Sequence, residues 1–177
     1  MRHSNTISFT LFAALIVRAP PPSSASDWPQ FRGHNGQGIA ERQNLPDRWD
    51  VETGDNILWR AALPGLAHSS PIGWGDRVYV TTAIADEGTD VRFGTGNSST
   101  DDLVSHHWQL LAFDKRSAQQ VWDKTVHRGV PKVKRHVKAS HASATPATDG
   151  KRIVMLLGSE GPFCFDMEGE SSCGAAM

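Results

Sequence analysis

Two stretches of the chain, residues 69–82 and 143–166, share an order of residues that constrains the fold more than any other feature. Each stretch places hydroxyl residues and a proline before a short turn, and then continues with an arginine and a β-branched run. Asp149-Gly150 predicts a two-residue hairpin turn in the second copy, because glycine adopts the positive φ of such turns without a Cβ clash. Gly75-Asp76 takes the same place in the first copy. The repeat predicts strand–turn–strand units of the kind that build blades or solenoid coils.

The composition agrees with a β-rich globular protein. The chain has 177 residues, of which 38% are hydrophobic and 21% charged, and it holds 16 glycines, 10 prolines and 6 tryptophans. Abundant turn residues between short apolar runs favour strands over long helices, so we expect an all-β fold. The formal net charge is −1. The basic segment 126–141 lacks the interleaved aromatic residues that stack on bases, so we predict no nucleic-acid partner and interpret this segment as a solvated loop.

The N-terminal residues 1–26 have the parts of a secretory signal peptide. Arg2 and His3 precede an apolar run over residues 7–17, and small residues at 23–26 suit cleavage. The run is shorter than the roughly 20 residues that a membrane-spanning helix needs. We therefore expect export to the periplasm or the medium, with no transmembrane segment after removal of the signal.

The chain has two cysteines, Cys164 and Cys173. They could form a disulfide in an oxidising compartment, but two thiols are the favoured interpretation, and the sequence leaves the question open. Two cysteines cannot supply a cysteine-rich zinc site.

Three groups of polar residues were considered as functional sites. His136 and His141 could bind a metal or an anionic ligand, but no third ligand is identifiable from the sequence, and polar loop residues are the favoured interpretation. A hydrolase could use His68 with Ser69 or Ser70, although the Gly-x-Ser-x-Gly elbow is missing. A polar stretch, residues 84–105, could collect calcium but matches no EF-hand loop, so we interpret it as a solvated surface insertion; its acids are Asp86, Glu87, Asp90, Asp101 and Asp102. No catalytic or metal residue is assigned, and the cofactor-binding residues stay unknown.

The spacing of two tryptophans indicates a longer repeat in the sequence. Residues 56–60 predict a short strand with Trp59 buried, and residues 108–114 and 119–122 predict a hairpin that ends at Trp122. Trp122 follows Trp59 by 63 residues. When an insertion of about 20 residues is subtracted from this spacing, the remainder is close to the period of propeller blades.

At this point the chain resembles a known family. Residues 111–122 are similar to the tryptophan-docking repeat of pyrroloquinoline-quinone (PQQ) β-propellers, whose usual form is Leu-x-Ala-Leu-Asp-x-x-Thr-Gly-x-x-x-Trp. Residues 27–33, 69–71 and 143–150 resemble secreted PQQ-binding-like propeller repeat proteins, which are related to the outer-membrane assembly propeller. Ser117-Ala118 replaces the usual Thr-Gly, so the turn lacks the glycine that most easily takes positive φ.

The resemblance implies a partial β-propeller over residues 27–169, with about two to two and a half four-stranded antiparallel blades in an incomplete ring. Residues 170–177 are then an irregular tail, and we expect a truncated copy of a longer propeller. The positions that carry the structural repeat are Trp59, Pro71, Arg77, Asp114, Trp122, Pro146, Asp149, Gly150 and Asp166.

The function implied is a non-catalytic extracytoplasmic scaffold that binds a protein, another ligand or the remaining blades of a full-length propeller. The alternative is a fragment of a PQQ-dependent quinoprotein dehydrogenase that oxidises alcohols or sugars with PQQ and calcium. The sequence has no adjacent cysteines and no set of Glu, Asn and Asp that matches the quinone site of those enzymes. Likeness of fold does not confer their chemistry.

Overall fold

The structure, a computed structural model, describes residues 27–40, 43–86 and 94–171. Within these ranges the helical segments are two single 3₁₀ turns, His34–Gly36 and Gly158–Glu160. The strands are β1 (Ile72–Trp74), β2 (Arg77–Ala85), β3 (His106–Asp114), β4 (Gln120–Gly129), β5 (Ala147–Thr148), β6 (Arg152–Leu156) and β7 (Pro162–Asp166). The prediction of an all-β fold is confirmed.

The strands form two antiparallel sheets. The first has the order β1-β2-β3-β4 and the second the order β5-β6-β7, so within each sheet every strand pairs with its neighbours in sequence. The two sheets do not close into a ring. Both copies of the repeat therefore start a sheet with a short strand, a turn and a longer strand.

The hydrophobic core lies between the two sheets. Alternation along β6 buries Ile153 and Met155 and leaves Val154 and Leu156 exposed, as expected for a strand with one covered face. From the first sheet, Tyr79 and other buried residues pack against them in one cluster. The remaining buried members of this cluster are Ile72, Ala83, Trp108, Leu110, Ala112, Ala142, Leu157 and Phe165.

The segment that begins at Asp27 joins the two sheets at their first strands. Trp28 exchanges two backbone hydrogen bonds with Gly73 in β1, at 2.7 and 2.9 Å, and the carbonyl of Pro29 accepts a 2.8 Å bond from the amide of Thr148 in β5. Asp27 Oδ1 also accepts a 2.7 Å bond from the amide of Gly75. This segment thus holds the two halves of the repeat together.

Several predicted boundaries are wrong. Residues 56–60 form no strand, and Trp59 is half-buried, because this segment lies along the outer face of the first sheet without pairing to it. In the first copy of the repeat, the strand before the turn is only Ile72–Trp74, β1. β4 is much longer than the predicted 119–122, since it pairs with β3 as far as Gly129. The second hairpin turn has three residues, 149–151, between β5 and β6.

Some predictions fall outside the described residues. These are the signal peptide at 1–26, the acids Glu87 and Asp90, and most of the tail, which includes Cys173. Cys164 is disulfide-bonded, so the favoured interpretation as a thiol is wrong for that residue. Ser171 forms an isolated antiparallel bridge with Phe165 of β7. In the described part of the chain, no helix has the length and apolar character needed to cross a membrane.

Candidate functional site

Two loops that are far apart in sequence pack against each other. We call residues 94–105, between β2 and β3, the acidic loop, and residues 130–146, between β4 and β5, the basic loop. The amide of Thr100 donates to the carbonyl of Arg135 at 2.9 Å, and Val137 exchanges backbone bonds with Gly94 and Ser98 at 2.9 and 3.0 Å. Neither loop is the independent solvated segment that the sequence predicts.

Opposite charges pair between the loops. Lys134 Nζ lies 2.7 Å from Asp101 Oδ1 at the surface. Next to it, Arg135 Nε donates to Asp102 Oδ2 at 2.6 Å, and here both side chains are buried, at 4% and 8% exposure. Arg135 also donates through Nη1 to the carbonyl of Ala139 at 2.6 Å. Burial of an ion pair is tolerated only when both groups are well bonded, so this pair fixes how the two loops meet.

Two histidines lie beside the buried pair. His106, the first residue of β3, bonds through Nδ1 to the carbonyl of Val104 at 2.7 Å. The ring of His141 meets the ring of His106 edge-on with centroids 5.0 Å apart. Trp108 holds the backbone of His141, since its Nε1 donates to the His141 carbonyl at 3.0 Å. Both imidazoles are therefore held on several sides.

The atoms that could bind a ligand converge. One ligand atom from each of Asp102, His106 and His141 lies within 4.8 Å of the others, and all three residues are buried. His141 Nε2 is 3.7 Å from Asp102 Oδ1 and has no hydrogen-bond partner among the described residues.

The protonation states suit a ligand set. Burial lowers the pKa of His141, and His106 and Arg135 lower it further, against the opposing charge of Asp102. Burial alone would raise the pKa of Asp102, but the Thr100 hydroxyl and the Arg135 guanidinium hold it below its usual value. At neutral pH the site presents a carboxylate and a neutral imidazole at His141.

The structure separates the residues that the sequence grouped as possible ligands. His136 is exposed and accepts a bond at Nδ1 from the amide of Lys138, away from His141. Of the described acids in the calcium group, Asp86 lies beside His107 at 3.6 Å, Asp101 pairs with Lys134, and Asp102 alone joins the buried cluster. Asp86, Asp101 and Asp102 therefore do not converge on one calcium site. The sequence missed His106, whose only clue was its place four residues after Asp102 at the start of an apolar strand.

The two serines that a hydrolase could use, Ser69 and Ser70, both form hydrogen bonds within the fold. Thr81 Oγ1 donates to Ser69 Oγ at 2.9 Å, next to β1 and β2. Ser70 is tied to the second copy of the repeat, because its amide donates to Thr145 Oγ1 at 3.0 Å.

The repeat residues occupy matching positions in the two sheets. Arg77 is the Cα partner of Asp114 in the first sheet, and Arg152 is the Cα partner of Asp166 in the second. Each aspartate accepts backbone amides in the turn that follows it: Asp114 Oδ1 from residues 116 and 117, and Asp166 Oδ1 from residues 168 and 170. Asp149 does the same in the β5–β6 turn.

The two tryptophans of the repeat contact those turns. Trp59 Nε1 donates to the carbonyl of Lys115 at 2.8 Å. Trp122 lies against the turn after β7, where a Cβ at Gly169 would be 3.1 Å from its Cζ3 atom. The two prolines differ, because Pro146 is fully buried and Pro71 is exposed. Gly150 lies on the ring of Trp74.

No protein-family model matches the chain, and neither a curated protein nor a solved structure matches it.

Proposed function

We propose that the chain is a non-catalytic scaffold of β-propeller type, which binds another sheet of the same kind through an open sheet face. The observation that carries the proposal is the repeated contact of a tryptophan with an aspartate turn. Trp59 contacts the turn after β3 and Trp122 contacts the turn after β7. Such contacts join each unit to the next, as expected for a stack of repeats that bury their faces against neighbours.

The register of the two sheets identifies the open face. When Arg77 is matched to Arg152, Tyr79 of β2 corresponds to Val154 of β6, since each lies two residues further on. Tyr79 is 1% exposed, because the second sheet covers it, whereas Val154 is 49% exposed. Leu156, on the same face as Val154, is 53% exposed. The face of the second sheet that carries Val154 and Leu156 is therefore equivalent to the face of the first sheet that carries Tyr79. It is exposed, whereas the face around Tyr79 is covered.

The occupant that fits this face is another apolar sheet face. The outer face of the first sheet is already occupied, because Val80, Leu111 and Phe113 are buried there and Ala61 and Ala67 pack against them. A second copy of the chain can instead offer its own exposed Val154 and Leu156. Such a contact uses the same face on both copies, so it is isologous and closes as a dimer.

Extracytoplasmic location is part of the proposal. The predicted signal peptide and the disulfide bond of Cys164 support it, because disulfides persist in oxidising compartments. Mass measurement of the secreted protein would locate the cleavage site, and an intact N-terminus on cytoplasmic protein would contradict export.

Sedimentation of the purified chain over a range of concentrations tests the scaffold. We expect association that the double substitution Val154→Lys and Leu156→Lys abolishes, because two buried ammonium groups oppose burial of that face. Leu58→Lys is the matched control, since Leu58 is 81% exposed and lies outside both sheets. A wild-type chain that stays monomeric at every concentration would contradict the proposal.

The quinoprotein alternative is distinguished by incubation with PQQ and calcium. Stoichiometric retention of the quinone together with dye reduction in the presence of an alcohol or sugar would favour the dehydrogenase over the scaffold.

A further inference from the structure

We propose that Asp102, His106 and His141 bind one divalent transition-metal ion of the Zn²⁺ class. The three residues come from the acidic loop, the start of β3 and the basic loop, so an ion at this place would join all three segments. Two imidazole nitrogens with one carboxylate oxygen form a ligand set that is common at zinc and other transition-metal sites. The inference is independent of the scaffold function.

The tautomer of His106 is set by its backbone contact. A carbonyl oxygen only accepts hydrogen bonds, so the 2.7 Å contact to Val104 requires that His106 Nδ1 carry the proton. The lone pair of the neutral ring is then on Nε2. A hydrogen bond from the second ring nitrogen to a backbone carbonyl is the usual support for a metal-binding histidine.

His141 supplies the second nitrogen. Its Nε2 atom is buried without a hydrogen-bond partner in the described part of the chain, and its ring packs edge-on against the rings of His106 and Trp108. A buried polar atom without a partner is unfavourable. A metal ion at this place would satisfy the atom.

Asp102 has one oxygen for the ion. Arg135 holds Oδ2, whereas Oδ1 faces His141. The Thr100 hydroxyl, which contacts Asp102 Oδ1, has a second acceptor in the Arg135 carbonyl at 3.2 Å. Rotation of this one hydroxyl frees Oδ1 without loss of its hydrogen bond.

The same contacts select the kind of ion. Arg135 neutralises the only carboxylate of the cluster, so the site has little of the negative charge and few of the oxygens that Ca²⁺ requires. Imidazole nitrogens suit Zn²⁺ and related ions. Ligand atoms around a tetrahedral Zn²⁺ ion are roughly 3.3 Å apart, so binding would draw the three residues closer than the 4.8 Å at which they lie here. Water or an anion would complete the coordination.

Titration of the untagged, chelator-treated protein with Co²⁺ and Zn²⁺ tests the inference. We expect one equivalent of Co²⁺ with a visible spectrum of nitrogen and oxygen ligands, partial quenching of tryptophan fluorescence by Co²⁺, and displacement of Co²⁺ by Zn²⁺ but not by Ca²⁺ or Mg²⁺. His106→Gln and His141→Gln should each weaken Zn²⁺ binding by at least about tenfold. His136→Gln is the matched control and should bind Zn²⁺ as the wild type does.

Three outcomes would overturn the inference: wild-type protein that takes up no stoichiometric metal, Ca²⁺ that displaces Co²⁺, or a loss in His136→Gln as large as that in His141→Gln. Circular dichroism shows whether the variants fold, and the wild-type titration decides the question even if they do not. The Val154→Lys, Leu156→Lys variant should bind Zn²⁺ normally, so failure of the scaffold proposal and failure of this one are distinguishable.

Discussion

The indole nitrogen of Trp59 donates a 2.8 Å hydrogen bond to the carbonyl oxygen of Lys115, across 56 residues of sequence. Lys115 follows Asp114 in the turn after β3, so this contact ties the segment before β1 to the far end of the first sheet. Trp122 approaches the corresponding turn after β7. The packing of a tryptophan on the turn repeats although the segment around Trp59 forms no strand. The hydrogen bond does not repeat, because Trp122 Nε1 has no hydrogen-bond partner in the described part of the chain.

Trp59→Phe tests the contribution of this hydrogen bond. The substitution removes the indole donor together with part of the aromatic surface, so the carbonyl of Lys115 loses its indole donor, and we expect the free energy of unfolding to fall by at least about 1 kcal/mol. Urea denaturation measures the change. The control is Trp49→Phe, because Trp49 is 66% exposed. An equal effect of the two substitutions would mean that the bond to Lys115 contributes nothing.

Gly150 is restricted both by its backbone and by its neighbour. Its φ is +82°, and a Cβ would lie 2.2 Å from Cζ2 of Trp74. We expect Gly150→Ala to lower the free energy of unfolding by at least about 3 kcal/mol, because the strained φ and the clash add.

Gly75→Ala is the matched control for Gly150. Gly75 occupies the equivalent turn with φ +56°, but no atom lies within 4 Å of a Cβ built there. Only the strain of the positive φ remains, so the free energy of unfolding should fall by about 1 kcal/mol. Thermal denaturation of both variants would show whether contact with Trp74 accounts for the difference.

The turn after β3 lacks a glycine where its conformation calls for one. Ala118, four residues after Asp114, has φ +60°, whereas the turn after β7 is one residue shorter and has Gly169, three residues after Asp166, with φ +82°. The sequence predicted this strain from the replacement of the usual Thr-Gly. Ala118→Gly should raise the free energy of unfolding by about 0.5 kcal/mol, since relief of the left-handed strain slightly exceeds the added freedom of the unfolded chain.

The reverse substitution, Gly169→Ala, should have the opposite effect. A Cβ there would lie 2.8 Å from Cγ of Lys124 and 3.1 Å from Trp122, so we expect a loss of about 2 kcal/mol. Denaturation curves of the two variants that move in the same direction would contradict a cost of positive φ at both positions.

The fold was more predictable than the candidate site, for a physical reason. Turn residues and alternation act over a few positions, so Asp149, Gly150 and the β-branched run after Arg152 were enough to place β5 and β6. The cluster around Arg135 depends on contacts across 33 residues between two loops with no periodicity. A basic loop and an acidic loop each resemble solvated segments when they are considered separately, and only their contact buries Arg135 with Asp102.

The position of Trp59 illustrates the same limit. Its spacing from Trp122 was informative about the repeat, because both side chains contact equivalent turns. The apolar residues around Trp59 also predicted a strand, but the segment forms none, and Leu58 is 81% exposed. A short apolar run by itself establishes neither the pairing of backbone groups nor the burial of each side chain.

Glu160 provides a pH-dependent prediction. Its side chain is 2% exposed and lies 3.4 Å from Nε2 of His127 and 3.6 Å from Nζ of Lys132. The amide of Lys132 and the hydroxyl of Ser159 donate to Oε1 at 3.0 and 2.7 Å. Burial would raise the pKa of Glu160, but these hydrogen bonds and the neighbouring positive charges hold it below the ordinary value of 4.5.

A carboxyl whose pKa is lower in the folded protein stabilises that state above its unfolded pKa, and the stabilisation is lost as the pH falls through the folded pKa. Glu160→Gln should therefore lower the free energy of unfolding by about 2 kcal/mol at neutral pH. The difference from wild type should begin to narrow below the ordinary pKa of 4.5 and should vanish once the wild-type carboxyl is protonated. Urea denaturation at a series of pH values measures this, with the exposed Glu52→Gln as control. A difference that is constant with pH would show that the carboxylate contributes through its shape and not through its charge.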